Sequence, residues 1–215
     1  MDNLKEGIKK RIKSWGKEIF EHKYLILISL VFLIVAIILE YLSGNYVDRK
    51  DAIPVPDFFL SILPTIDLSI LFIYGIIIII LVMFLYPLFF KVNKLHNIIS
   101  QFSLLVIIRS IFICLTHLKL PAEAIVKNFP WILKNLTFGN DLFFSGHVAL
   151  PFLGFLLFEE KSLKYFFLIS SIIMAITVLL MHIHYSIDVF AAFFITYGTY
   201  KIGEKLFKKL DRIKK

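Results

Sequence analysis

Charge is scarce in this chain. Only 19% of its 215 residues are Asp, Glu, Lys or Arg, 59% are hydrophobic, and the mean hydropathy is +0.82. A soluble domain of this length exposes far more charge, so the composition excludes a water-soluble globular fold and points to one membrane domain. Cysteine is nearly missing. Cys114 stands alone inside an apolar stretch, which excludes a disulfide framework and leaves the redox compartment unread. Internal repeats and low-complexity tracts are also absent.

Long apolar runs, in contrast, are abundant. Six stretches have about the length needed to cross a hydrocarbon core of roughly 30 Å as helices. They lie near 24–42, 67–90, 97–117, 141–158, 162–181 and 183–202. The break between the last two rests only on His182, His184, Ser186 and Asp188. The predicted fold is therefore all-α, a polytopic bundle of six transmembrane helices. Residues 1–23 are expected to form an amphipathic interfacial helix, with Leu4, Ile8, Ile12, Trp15 and Ile19 on one face and lysines on the other. The six-span membrane domain then covers 24–202 and a basic tail covers 203–215, with Leu206, Leu210 and Ile213 repeating the amphipathic pattern. The first span follows a basic segment as a signal peptide would. It is expected to be retained, because its apolar core is long, it carries Glu40, and no small-x-small cleavage pattern follows.

The net charge is +8, and its placement matters more than its size. With six spans both termini share a side. That side carries 18 Lys and Arg residues, in the groups 5–23, 91–94, 161–164 and 201–215. The other side carries five: Arg49, Lys50, Lys119, Lys127 and Lys134. The positive-inside rule then puts the termini in the cytoplasm and the opposite ends of the spans outside it. The same distribution excludes nucleic acid as a partner, since topology accounts for the lysines.

Three polar elements stand at the outer ends of the spans. The first outer loop, 43–66, holds the stiff stretch Pro54-Val55-Pro56-Asp57. The second, 118–140, holds Pro121, Pro130 and the aromatic anchor Trp131, and ends in Asn140 and Asp141, which are good helix N-caps. Ser145-Gly146-His147 then opens the fourth span, where Gly146 permits close approach and a helix N-terminus favours an anion such as phosphate. His184 and Asp188 are four residues apart at the start of the last span, one turn apart on one helical face. A carboxylate so placed holds one imidazole nitrogen and leaves the other lone pair free, as a nucleophilic or basic imidazole requires. Arg109 lies within the third span, roughly 18 Å from Asn97 at about 1.5 Å per residue, where a guanidinium needs an acid or a polar cavity. Two histidines and a carboxylate are also a ligand set for iron or zinc. The placement of Asp188 beside His184, with no further ligand cluster, favours catalysis without a metal. His22, His96, His117 and His182 are read as interfacial or packing residues.

These residues resemble the phosphatidic acid phosphatase type 2 superfamily, and within it the sphingomyelin synthase branch. That branch writes Asp, five residues, then the His of Ser-Gly-His, as in Asp141 to His147 here. It continues His-Tyr-Thr-x-Asp-Val, which this chain writes His184-Tyr185-Ser186-Ile187-Asp188-Val189. Its outer-loop Pro-x-Pro-Asp is similar to Pro54 to Asp57, and its Arg, Thr and Leu-Pro to Arg109, Thr116, Leu120 and Pro121. The likeness covers roughly 50–200. The chain departs from the pattern at Gly139-Asn140, where the branch has Cys-Gly, at Val148, where it has Thr, and in lacking the paired arginines of the third span.

The resemblance implies transfer of a phospho head group from a glycerophospholipid to ceramide or another alcohol, with or without phospholipase C-type hydrolysis. His184 is then the nucleophile, Asp188 its orienting acid, and His147 the acid and base. Arg109, Asp57, Asp141, Ser145, Gly146 and Tyr185 would line the substrate site, Arg109 against phosphoryl oxygens and Tyr185 against the head-group cation. The implied partners are membrane phospholipids and a lipid alcohol, and no metal or organic cofactor is expected. The superfamily's phosphatases use a basic cage that here reads Thr177-Val178-Leu179, without a Lys/Arg-Pro pair. A phosphomonoester carries nearly two charges and needs such a cage, whereas a diester carries one. A lipid phosphate phosphatase and a non-catalytic lipid-binding protein are the alternatives.

Overall fold

A computed structural model describes residues 2–126 and 139–212, with side chains for residue 6 and for 13–126 and 139–207. Those residues form six helices and no strand: α1 (Asp2–Asp48), α2 (Ser69–Phe90), α3 (Val92–Leu115), α4 (Gly146–Leu157), α5 (Lys161–Leu180) and α6 (Ser186–Arg212). The predicted interfacial helix and first span are one element, because nothing between residues 2 and 48 breaks the backbone ladder. The expected apolar faces at Leu4, Ile8 and Ile12 and at Leu210 and Ile213, the anchor Trp131, and the lysines at 127 and 134 lie outside the described side chains.

Among the described residues four helices are long and apolar enough to cross a membrane: Lys13–Asp48 within α1, α2, α3 and α5. α4 has only 12 residues, about 18 Å at the helical rise, and α6 carries Asp188, Lys201 and several Thr and Tyr residues in its first 18. The expectation of six full crossings is thus met on length and apolarity by four. α4 is also shorter than the 141–158 expected for it. Asn140 and Asp141 do not cap it. Asp141 is taken up by Arg109, and Ser145 occupies the N-cap position instead.

Packing follows the apolar faces. α1 lies along α3 and exposes Ile28, Ile34 and Ile38, the arrangement of a lipid-facing helix. α4 lies against α5, and Gly154 makes the close approach possible: a Cβ there would come within 2.4 Å of the Phe167 ring. One core cluster gathers Phe72, Leu105, Phe144, Val148, Val178, Ile183 and Val189 from α2 to α6 and from the segments that lead into α4 and α6. A second, around Met83, Ile98, Phe167 and Met174, fills the other half of the bundle.

The chain order places the C-termini of α1, α3 and α5 and the N-termini of α2, α4 and α6 at one end. Backbone bonds close that end: Ile66 N–H donates to the Leu180 carbonyl (2.8 Å) and Ile125 N–H to that of Met181 (2.9 Å). At the opposite end Lys94 pairs with Glu159 (2.8 Å) and Lys91 with Glu160 (3.4 Å). There too the Trp15 indole donates to the Leu88 carbonyl (2.7 Å), and His22 stacks on His96 with centroids 6.2 Å apart.

Candidate active site

The turn between α5 and α6 carries the first half of the site. Val178 and Leu179 carbonyls accept the N–H groups of Ile183 and His182, folding residues 181–185 tightly. His182 takes a φ of 53° there, a left-handed conformation that costs a non-glycine residue roughly 1–3 kcal/mol and persists only where surroundings enforce it. Those surroundings are the two backbone bonds from Ile66 and Ile125. His182 itself is buried, its Nδ1 3.9 Å from the exposed carboxylate of Glu123. The packing role read for it agrees with that placement. His117 lies beside Tyr46, ring centroids 5.6 Å apart.

His184 and Asp188 meet as their spacing predicts. Nδ1 of His184 is 3.4 Å from Oδ2 of Asp188, and both residues are buried, Asp188 completely. Oδ2 also accepts the Tyr185 N–H at 2.9 Å, which fixes the carboxylate's rotamer. Oδ1 of Asp188 is buried without a hydrogen-bond partner among the described residues.

The second half is the extended segment leading into α4. The Ser145 N–H donates to the carbonyl of Asp188 (3.2 Å), so this segment is tied directly to the first turn of α6. His147 follows on the first turn of α4, its ring stacked on Phe72 of α2, with centroids 4.0 Å apart and planes at 20°. His147 lies within electrostatic reach of His184 and of Arg109. The Ser145 hydroxyl is buried beside them and finds no hydrogen-bond partner among the described residues.

Arg109 reaches this segment from α3. Its Nε donates to the Phe144 carbonyl (2.9 Å), its Nη1 to Asp141 Oδ2 (3.1 Å) and to Glu40, and its Nη2 to the Asp141 carbonyl (3.2 Å) while lying 2.5 Å from Asp141 Oδ1. Every nitrogen of the guanidinium is engaged. As placed, Arg109 organises the backbone beside the site and has no nitrogen left for a phosphoryl oxygen. Gly146 suits this place: a Cβ would sit 3.3 Å from Arg109 Nε, close enough that the guanidinium would have to give by a few tenths of an ångström.

The remaining expected site residues bind protein groups. Asp57 Oδ2 accepts both the N–H and the hydroxyl of Ser186, each at 2.8 Å, and Oδ1 accepts the Leu60 N–H at 3.1 Å. It thereby caps α6 from a distant loop. Burial raises the Asp57 pKa, but these bonds from Leu60 and Ser186 outweigh it, and the net shift is downward. The Tyr185 hydroxyl donates to the Lys119 carbonyl (2.7 Å) and accepts the Val55 N–H (3.0 Å). Its ring is 1% exposed, so its described contacts join two loops and leave it no open face for a head group. Glu40 on α1 was not read as part of the site. Its signal was present, since it is the one acid in the stretch 24–42, and such a residue marks a polar partner.

Among the described residues no group of three or more His, Cys, Asp or Glu side chains is arranged to hold a metal ion. What the arrangement offers is a carboxylate-braced imidazole, a second imidazole on a facing helix, and a hydroxyl at a helix N-terminus. Those parts suit nucleophilic and acid–base work on an anion.

The fold and site thus define a helical integral membrane protein with paired histidines at one end. Residues 139–205 match the family model described as PAP2 superfamily C-terminal, a segment that includes Asp141, Ser145 to His147, His184 and Asp188. The matched segment is about a third of the chain, and the similarity is confined to it. No curated protein and no solved structure matches the chain.

Proposed function

We propose that the chain transfers a phospho head group between lipids in the manner of sphingomyelin synthases. It takes phosphocholine or phosphoethanolamine from a glycerophospholipid and passes it to ceramide, another lipid alcohol or water. The observation that carries the choice of a diester is the balance of charge. Arg109 reaches the segment that enters the site, and it is already matched by Glu40 and Asp141. A site without surplus positive charge suits the single charge of a phosphodiester better than the nearly double charge of a monoester.

In this reading the Nε2 lone pair of His184 attacks phosphorus, and the bond from phosphorus to the diacylglycerol oxygen breaks. His147 delivers its proton to that oxygen, so diacylglycerol leaves neutral. Asp188 holds the Nδ1 proton and offsets the charge that the ring gains. The acceptor hydroxyl then gives its proton to His147 and attacks phosphorus, and the nitrogen–phosphorus bond breaks. The free Ser145 hydroxyl and the first N–H groups of α4 meet the phosphoryl oxygens, and Gly146 keeps that approach open. Asp57, Asp141, Tyr185 and Arg109 serve the site by bracing its backbone. The proposed topology keeps six crossings, with cytoplasmic termini and the site facing away from the cytoplasm.

The test is to incubate purified protein in micelles with labelled phosphatidylcholine and phosphatidylethanolamine, with and without ceramide. The proposal expects diacylglycerol together with a labelled ceramide product or free phospho head group, and no such products from His184→Ala. Release of inorganic phosphate from phosphatidate, with the diesters untouched, would establish the phosphatase instead. Lipid binding with no product from either class would establish the non-catalytic protein.

A further inference from the structure

We infer that Glu40, on the first helix and outside the matched family segment, is a positioning residue for the Ser145–His147 turn. The inference rests on the transferase reading and concerns how that site holds its shape. Glu40 is partly buried in a span whose neighbours are apolar, its side chain 16% exposed. One carboxylate oxygen pairs with Arg109 Nη1 and the other accepts the Ser110 hydroxyl at 2.8 Å, so both oxygens are fixed from α3. Arg109 carries that restraint on. Its remaining bonds run to the Asp141 side chain, the Asp141 carbonyl and the Phe144 carbonyl. These are backbone and side-chain groups of the segment that enters the site.

The next two residues leave little slack. Ser145 is tied to the Asp188 carbonyl, and a Cβ on Gly146 would come within 3.3 Å of the guanidinium. The backbone of His147 is therefore set between two anchors. One is Asp188, which also braces His184. The other is Arg109, whose own place depends on Glu40. A planar guanidinium serves here because it can grip two carboxylates and two carbonyls at once, which an ammonium cannot. Without Glu40, Arg109 has only the segment it is meant to hold, and the two move together.

The function of Glu40 is thus geometric, and its charge as such is not required. In Glu40→Gln the amide oxygen accepts from Arg109 while the amide nitrogen donates to Ser110, whose hydroxyl proton turns from residue 40 to the Val106 carbonyl (2.9 Å). Glu40→Ala removes the anchor. A displacement of about 1 Å at a reacting group costs on the order of a hundredfold in rate.

The experiment measures kcat and KM for diacylglycerol formation from labelled phosphatidylcholine or phosphatidylethanolamine in four proteins: wild type, Glu40→Gln, Glu40→Ala and His184→Ala. A thermal melt accompanies each. The expected result is a fall of about a hundredfold in kcat for Glu40→Ala with KM nearly unchanged, and recovery to within severalfold of wild type in Glu40→Gln. Should Glu40→Ala fail to fold, Glu40→Asp takes its place; shortened by one methylene, it is expected to lose about tenfold in kcat while melting near wild type. Wild-type kcat in Glu40→Ala beside an inactive His184→Ala would overturn this inference and leave the transferase reading standing. Equal losses in the Gln and Ala variants would also overturn it, since the carboxylate's charge would then be what matters. A wild-type protein inactive on every lipid phosphodiester would remove the transferase reading and the inference with it.

Discussion

Replacing Asp188 by Asn isolates what the carboxylate contributes, because shape is kept and charge is lost. The amide oxygen has to take the Oδ2 position, where it accepts the Tyr185 N–H (2.9 Å) and faces His184 Nδ1 (3.4 Å). The amide nitrogen then occupies the Oδ1 position, which is buried and has no described partner. Leaving a buried donor unmet costs about 1–3 kcal/mol of stability, enough to lower the melting temperature by several degrees without unfolding the bundle. The rate effect is larger. At the 3.4 Å separation a unit charge pair is worth about 5 kcal/mol at an effective dielectric of about 20. With roughly 1.4 kcal/mol per decade that corresponds to a loss of 10³–10⁴-fold in turnover. The assay is initial-rate formation of labelled diacylglycerol in micelles, beside a melt of the same preparation. A folded Asp188→Asn protein that keeps turnover within tenfold of wild type would refute the reasoning, since the charge would then be idle in the rate-limiting step.

Two further outcomes follow from the packing and the loops. Gly154→Ala is expected to destabilise the bundle by about 1–3 kcal/mol. Its Cβ would meet the buried Phe167 ring, itself stacked on Phe158 with centroids 5.0 Å apart, and a lowered thermal midpoint checks this. The depressed pKa of Asp57 stabilises the folded state above the ordinary carboxylate value, and that contribution is lost as pH falls through the lower folded value. Melting between pH 6 and 3 should therefore show a drop below about pH 4 that Asp57→Asn lacks, because the variant no longer carries the titrating cap on Ser186.

Much of this architecture could be read in the sequence, for physical reasons that differ by element. α2, α3 and α5 fall within a few residues of the expected spans because long uncharged runs leave few other ways to satisfy a backbone in lipid. The His184–Asp188 contact was legible from the four-residue spacing, but not its means: His184 precedes α6, and the tight turn over 181–185 brings its ring to Asp188 on the first turn of the helix. The start of α4 was not. Asn140 and Asp141 have cap chemistry, but Asp48 accepts the N–H of Asn140 (2.8 Å) and Arg109 takes Asp141, so the helix begins only at Gly146. Tertiary partners spent the caps. The same cause moved Asp57 and Tyr185 from expected substrate contacts to braces between loops, since nothing local in Pro54-Val55-Pro56-Asp57 reveals a bond to Ser186 129 residues away. Glu40 had a visible signal, a lone acid in an apolar span, but its partner Arg109 lies 69 residues on. That pairing depends on α1 lying along α3.

The central claim is that His184 bonds to phosphorus during turnover, and it can be tested by trapping the intermediate. Purified protein is mixed briefly with a phosphodiester lipid labelled in its head group, quenched in alkali, digested and sequenced by mass spectrometry. The account predicts label on His184, stable to base and labile to acid, and absent from His184→Ala. Turnover by the wild type with no label on His184, or turnover that survives His184→Ala, would contradict it.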